Sequence, residues 1–410
     1  MGDEWHPIIF YWLSTFCREP RFVKLKITMY THQFRAYPSK ETQSKLWQHA
    51  NALNRLYNGF LDEKKTAYET DKTSISRFDQ QAKLIDLKEK EPLLKEIHSQ
   101  VLQQIPLRLD RAYKDFFRRI KKHETEKGFP NFRSCKKFFG ILYPQSGYKI
   151  QDNLFITKQY GEIKFIKHRE ILGKIKQVYI TCNDNNEWYI SITTDCDKEQ
   201  QILNRAVGLD VGITNIYASS DKEIKPNYNH AKYFDKKINN FKSKRDKVYK
   251  KNKRKQSRKY HFYSKMIKKL YGAKNRKIND FLHKVSYGLS RKYDTIFIEK
   301  LDLKKMSEGQ ITGLNRELRN AKIATFINFL KYKVKTVIEV NPRNTSKTCC
   351  MCGKIHDMPL NRRVMKCECG NKMNRDINAA KNIYCLGQAI LSGVCTVEST
   401  IQEALAFRRG

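Results

Sequence analysis

Residues 341–383 read NPRNTSKTCCMCGKIHDMPLNRRVMKCECGNKMNRDINAAKNI, and no other stretch constrains the molecule as much. Cys349-x-x-Cys352 and Cys367-x-Cys369 form two knuckles, and Arg375-Asp376 follows within a short turn at the start of an expected helix. A zinc ribbon ties two such knuckles together with four thiolates around one tetrahedral ion, each about 2.3 Å from it. The expected ligands of this structural Zn2+ are Cys349, Cys352, Cys367 and Cys369. The second knuckle is one residue tighter than the usual CxxC, and Cys350 and His356 stand close enough in sequence to substitute. An acidic residue at the edge of such a staple is a carboxylate fixed in space. Magnesium-dependent phosphodiester chemistry requires that kind of group.

Working outward, cysteine usage and charge agree with this reading. Of the 11 cysteines, Cys349, Cys350, Cys352, Cys367 and Cys369 share one short window and the rest are scattered. Clustering at metal spacing favours zinc over a disulfide framework. Lys and Arg total 81 against 42 Asp and Glu, a formal net charge of +39 at pH 7. So large an excess repels itself unless a polyanion neutralises it, which points to nucleic acid. No apolar run reaches the roughly 18 residues that a membrane helix needs. The N-terminal WHPIIFYWLSTFC is too short for a span and follows Asp3 and Glu4, against a secretory signal. His6 stands where a myristoylation signal needs Ser or Thr. The expectation is a soluble cytoplasmic protein with no membrane partner, nucleoid-associated in a prokaryote or nuclear in a eukaryote.

At 410 residues, two or more domains are expected. Alternating Val23, Leu25 and Ile27 predict a strand within 22–38. Ser39 offers an N-cap hydroxyl and Glu41 a first-turn carboxylate to the helix that follows, with Leu46, Ala50, Leu53, Tyr57 and Leu61 at helical spacing. A second helical region is expected from about Glu91 to Lys122, broken or kinked at Pro106. KIKQVYITC and EWYISITTD flank Asn183-Asp184-Asn185-Asn186 and predict a hairpin. The first half therefore reads as a β module interrupted by a helical insertion.

From Lys236 to Lys277 basic residues are dense, and Asp246 is the single acid in that span. Such length and one-sidedness favour phosphate contact over a merely solvated face, with Lys250, Lys251, Lys253, Arg254, Lys255, Arg258 and Lys259 as the candidate nucleic-acid-binding residues. Tyr249, Tyr260, Phe262 and Tyr263 are interleaved and suit either base stacking or helix packing.

Three acids stand out. Asp210 ends the apolar run of RAVGLDVGITNIYAS, Glu299 ends TIFIE, and Asp376 opens DINAAKNI. Each has a plain alternative as a turn residue, a strand-end charge or a helix cap. Together, two strand-end acids and one helix-start acid beside a zinc ribbon match the ribonuclease H arrangement. Convergent carboxylates there hold two Mg2+ ions about 3.5–4 Å apart.

The ordered segments GLDVGITN, FIEKLDL, TSKTC-x-x-CG and CG-x-x-x-x-RDINAAKNI resemble the TnpB family. These are transposon-encoded, RNA-guided nucleases related to type V CRISPR effectors and to eukaryotic Fanzor proteins. The likeness is sharpest over residues 205–383 and weaker at FRAYPSKETQ, KGFPNFRS and ILYPQ. It implies an α/β multidomain protein: a ribonuclease H-like (RuvC) nuclease domain with an inserted zinc ribbon, preceded by a β-barrel wedge domain carrying a helical recognition insertion. The corresponding boundaries are an N-terminal extension at 1–21, a wedge at 22–38 and 126–204, and a recognition domain at 39–125. The nuclease domain takes 205–344 and 373–390, the zinc ribbon 345–372, and a C-terminal tail 391–410.

The resemblance further implies a catalytic trio of Asp210, Glu299 and Asp376 holding Mg2+, a guide RNA, and double-stranded and single-stranded DNA as target. The protein would read a short motif beside the target while base pairing reads the sequence. Glu339 in TVIEVNPRNTS is the alternative third acid, because some relatives draw theirs from this later stretch. Two other functions remain: a nuclease-inactive, RNA-guided DNA-binding repressor, and an unguided transposase or resolvase.

Overall fold

The computed structural model describes residues 28–124, 128–196, 203–228, 231–252, 257–302, 312–359 and 362–409. The chain divides into two compact units, Met1–Glu199 and Gln200–Gly410.

The first unit holds strands β1 (Thr28–Tyr37), β2 (Ile141–Tyr143), β3 (Lys149–Gln151), β4 (Leu154–Thr157), β5 (Gly161–Phe165), β6 (Lys174–Cys182) and β7 (Trp188–Cys196). They form one antiparallel sheet in the order β2-β6-β7-β1-β5-β4-β3. Helices α1 (Lys40–Asp71), α2 (Arg77–Ala82), α3 (Leu84–Lys90), α4 (Pro92–Glu96) and α5 (Ser99–Lys121) fall between β1 and β2 in sequence. The strand before these helices is nonetheless bonded along its length to a strand after them, from Thr28 opposite Cys196 to Ala36 opposite Trp188. The expected Val23, Leu25 and Ile27 lie outside the described residues.

Ser39 caps α1 by accepting the Thr42 amide at 3.1 Å, and Leu46, Ala50, Leu53, Tyr57 and Leu61 are buried along one face as their spacing requires. The β6–β7 hairpin turns at Asn183–Asn186, where Asn186 takes the left-handed conformation that asparagine tolerates. Pro106 does not break its helix. α5 runs through it, and the interruption falls earlier, at Ile97 and His98. The missing amide removes one helical hydrogen bond, but Val101, Leu102, Ile105, Pro106 and Leu109 are all buried on one face, and that packing outweighs the loss.

The second unit is built on β8 (Ala206–Asp210), β9 (Asn215–Ser219), β10 (Ile224–Pro226), β11 (Thr295–Glu299) and β12 (Thr336–Val340), in the order β10-β9-β8-β11-β12. The first three are antiparallel neighbours, whereas β8, β11 and β12 run parallel. Parallel neighbours need crossovers. Helices α6 (Ala231–Asn252) and α7 (Arg258–Lys292) lead into β11, and α8 (Thr312–Ala321) and α9 (Ile323–Lys333) lead into β12. Both faces of the parallel strands are covered, which explains the continuous apolar runs AVGL and TIFI. Val207, Leu209, Ile296 and Ile298 pack with residues of α7 and α9. Phe297 and Val340 join Ile383 and Leu386 of helix α10 (Arg375–Leu391), together with Ile401 and Leu405 of α11 (Ile401–Arg409). Strands β13 (Val364–Lys366) and β14 (Lys372–Asn374) pair as a small ribbon just before α10.

Candidate active site and metal centre

Asp210 and Glu299 are the last residues of the parallel neighbours β8 and β11, one position beyond the registered pair Leu209–Ile298. Both carboxylates therefore leave the same edge of the sheet on the same face, since residues in register share a face. That face is the one covered by α10. Two glycines let the helix come so close. A Cβ on Gly208 would lie 2.3 Å from the Ala380 carbonyl oxygen, and one on Gly387 would lie 2.1 Å from Phe297 Cγ. Asn374 caps α10 by accepting the Asp376 amide at 2.8 Å, which puts Asp376 in the first turn.

Asp210 senses the other two acids. Withdrawal from water pushes the Asp210 carboxyl well above its ordinary range, and the negative charges of Glu299 and Asp376 add to the shift, with Arg375 opposing. Burial likewise raises Glu299, against a hydrogen bond from Thr345. Asn215 Nδ2 donates to Asp376 Oδ2 at 3.1 Å. Each of the three residues keeps a minor part of its surface exposed at this end of the sheet. Their ligand atoms do not all lie within 4.8 Å of one another: among the described residues, the cysteine set is the one group of three or more acid, His or Cys residues that does. Like charges at this edge are what a bound dication would relieve, so the donor set suits Mg2+.

Glu339 is placed elsewhere. It lies opposite Ile298 in the β11–β12 ladder, so it shares the face of Ile298 rather than that of Glu299, and its carboxylate pairs with Lys331 of α9 at 2.6 Å.

Cys349, Cys352, Cys367 and Cys369 gather with their sulfurs within 4.8 Å of one another, Cys349–Cys369 at 3.6 Å and Cys352–Cys367 at 3.3 Å. A tetrahedral zinc with bonds of about 2.3 Å sets sulfurs about 3.8 Å apart, so the set fits the ion. Burial pushes the Cys349 thiol up, but the Cys352 and Met351 backbone and the Asn371 amide pull it down to about 6. Cys350 stands outside the set: its thiol lies 3.7 Å from Met373 sulfur and its amide donates to Asn378.

Of the basic candidates, Lys250 lies near the end of α6, and Arg258 and Lys259 open α7; all three are exposed. Lys253, Arg254 and Lys255 lie outside the described residues, as does the side chain of Lys251. Tyr249 and Phe262 are exposed, whereas Tyr260 and Tyr263 are half-buried and face rings of α6.

The sequence reading missed the polar residues that hold this site. Thr345 donates to Glu299, and the fully buried Asn378 and Asn382 grip the loop from Thr345 to Cys350. A signal was present: two asparagines four apart on the same helix as Ile383 and Leu386 fall where apolar residues are expected.

The second unit thus carries three acids at one end of a partly parallel sheet and a set of four cysteines on the segment just before α10. Residues 324–383 match the family model described as "Cas12f1-like, TNB domain", residues 189–310 one described as "Probable transposase", and residues 29–73 one described as "Helix-turn-helix domain". An Escherichia coli (strain K12) protein with the provisional name RNA-guided DNA endonuclease InsQ is 27% identical over 387 residues, 88% of this chain and 92% of that one. The TnpB-like protein L79 of Acanthamoeba polyphaga mimivirus is 36% identical over 131 residues, 30% of this chain and 25% of that one. A Cas12f1–sgRNA–target DNA complex aligns over 87% of this chain and 99% of its own, with 18% identity and a TM-score of 0.31. These matches bear out the resemblance to the TnpB family. No helix among the described residues is long and apolar enough to cross a membrane.

Proposed function

We propose that the chain is an RNA-guided DNA endonuclease of the TnpB type, cutting target DNA beside a short protein-read motif at a RuvC site formed by Asp210, Glu299 and Asp376. One observation carries the reading: these three acids, far apart in sequence, share one edge of the β8–β11 pair beneath the start of α10. The strand order β10-β9-β8-β11-β12, with a three-stranded antiparallel part followed by parallel strands, supports a ribonuclease H-like domain. Two Mg2+ ions held there would activate water and stabilise the departing oxygen. The chain's own part is to present Asp210 and Glu299 rigidly from a sheet, Asp376 from a capped helix, and to hold Asp376 through Asn215. Cys349, Cys352, Cys367 and Cys369 would hold the structural Zn2+. A guide RNA and the DNA strands are the partners that the +39 charge and the names of the relatives favour.

The test is expression with the native flanking DNA, sequencing of the copurified RNA, and cleavage of a plasmid carrying the matching target in a randomised flank. A defined RNA and cleavage lost in Asp210→Ala support the proposal. Guided binding without cleavage would make the chain a repressor, and cleavage or strand transfer without RNA would make it an unguided transposase or resolvase.

A further inference from the structure

We propose that Thr345 is a positioning residue for Glu299 and ties that carboxylate to the zinc ribbon, an inference that rests on the nuclease reading above. The Thr345 side chain is 2% exposed, and its hydroxyl faces two acceptors, Glu299 Oε1 and the Pro342 carbonyl at 3.1 Å. A single hydroxyl hydrogen serves one of them, and an ionised carboxylate is the stronger acceptor. The bond takes one lone pair of Oε1 and fixes how Oε2 is presented.

Thr345 is itself held from behind. Asn382 Nδ2 donates to the carbonyls of Thr345 and Thr348, both at 2.7 Å, and Asn378 Nδ2 donates to Thr348 at 2.7 Å. Asn378 Oδ1 accepts the Cys350 amide at 3.0 Å and the Asn371 side chain at 3.3 Å, and Asn371 also donates to Cys349 Sγ at 3.1 Å. The ladder thus runs from a zinc ligand through two buried asparagines of α10 to the hydroxyl on Glu299. The same helix carries Asp376 in its first turn. One helix therefore sets one acid directly and a second through the loop it grips. Partners that orient a metal-binding carboxylate are worth roughly 10–100-fold in metal affinity or activity.

The test uses the full chain without RNA, titrated with Mn2+ and followed by electron paramagnetic resonance, with Asp210→Ala as the background for surface binding. Thr345→Val should weaken the Asp210-dependent Mn2+ affinity roughly 10–100-fold, and Thr345→Ser should restore it. With guide loaded, Thr345→Val should need more Mg2+ for half-maximal cleavage and recover its rate at high Mg2+. A merely structural loss would lower the rate equally at every Mg2+ concentration. Unchanged Mn2+ affinity in Thr345→Val, or a rate deficit that no Mg2+ concentration repairs, overturns the proposal. Should Thr345→Val lose zinc or melt early, Thr345→Ala makes the same deletion with less bulk and is read in the same titration. Asp210→Ala leaving both Mn2+ binding and cleavage intact would instead overturn the nuclease reading itself.

Discussion

Asp210 is held where its charge is least welcome, withdrawn from water beside two other acids. A carboxyl whose folded-state pKa exceeds its unfolded value binds more protons folded than unfolded. Its contribution to stability is then full below the ordinary carboxylate range, near about 4, and is lost as pH rises through the raised value. Asp210→Asn removes that titration. Metal-free Asp210→Asn protein should therefore melt above the native chain near neutral pH, with the gap closing on acidification; thermal scans of the pair across pH check this, and a native chain that is the more stable at neutral pH contradicts it. At this scale the geometry also favours Glu299 over Glu339 as the third acid. Glu299 shares the face of Asp210, whereas Glu339 faces the other way and pairs with Lys331. Replacing a metal-binding carboxylate by an amide removes the anionic oxygen that Mg2+ prefers. Glu299→Gln should abolish cleavage with guide and target binding retained, and Glu339→Gln should keep most of it. The reverse result on one guided substrate would transfer the role to Glu339.

Among elements, α10 does the most, because it lies on β8 and β11, opens with Asp376 and grips the loop of the first cysteine knuckle. Gly208→Ala would drive a methyl against the Ala380 carbonyl, a backbone atom that cannot swing away. Overpacking of this kind costs about 1–3 kcal/mol, and by lifting α10 it should cut activity more than it lowers stability; denaturant melts and cleavage rates measured together separate the two. Loss of a zinc ligand should act on the same element. Cys349→Ser is expected to lower bound zinc and loosen the Thr345–Cys350 loop before it affects chemistry, as hydrogen exchange of that loop would report, since metal binding at such a site is folding free energy. The strands that end in Asp210 and Glu299 were legible because apolar runs ending in an acid are local signals. That α5 continues through Pro106 was not legible, because the burial that keeps it intact is tertiary. Thr345, Asn378 and Asn382 were passed over because a buried polar residue declares its partner only once the loop and helix meet.

At the scale of the whole chain, the +39 charge has to be neutralised by something, and the α6–α7 pair is the densest place for it. Two kinds of contact are offered there and can be told apart. Lys250, Arg258 and Lys259 are exposed cations with the reach to meet phosphates, while Tyr249 and Phe262 present exposed rings. Phosphate contacts release counterions, so each one lost should reduce the slope of log affinity against log salt by about 0.7–0.9, whatever the nucleic-acid sequence. Stacking releases none; it adds about 1–3 kcal/mol per base and leaves the slope alone. Changing Lys250, Arg258 and Lys259 together to Gln should weaken binding and flatten the slope by roughly two to three, whereas Tyr249→Ala with Phe262→Ala should weaken binding to unpaired strands at constant slope. Titrations of both variants across a salt series decide it. If the triple variant keeps the native slope, these cations form a solvated helix face and the chain neutralises its charge elsewhere.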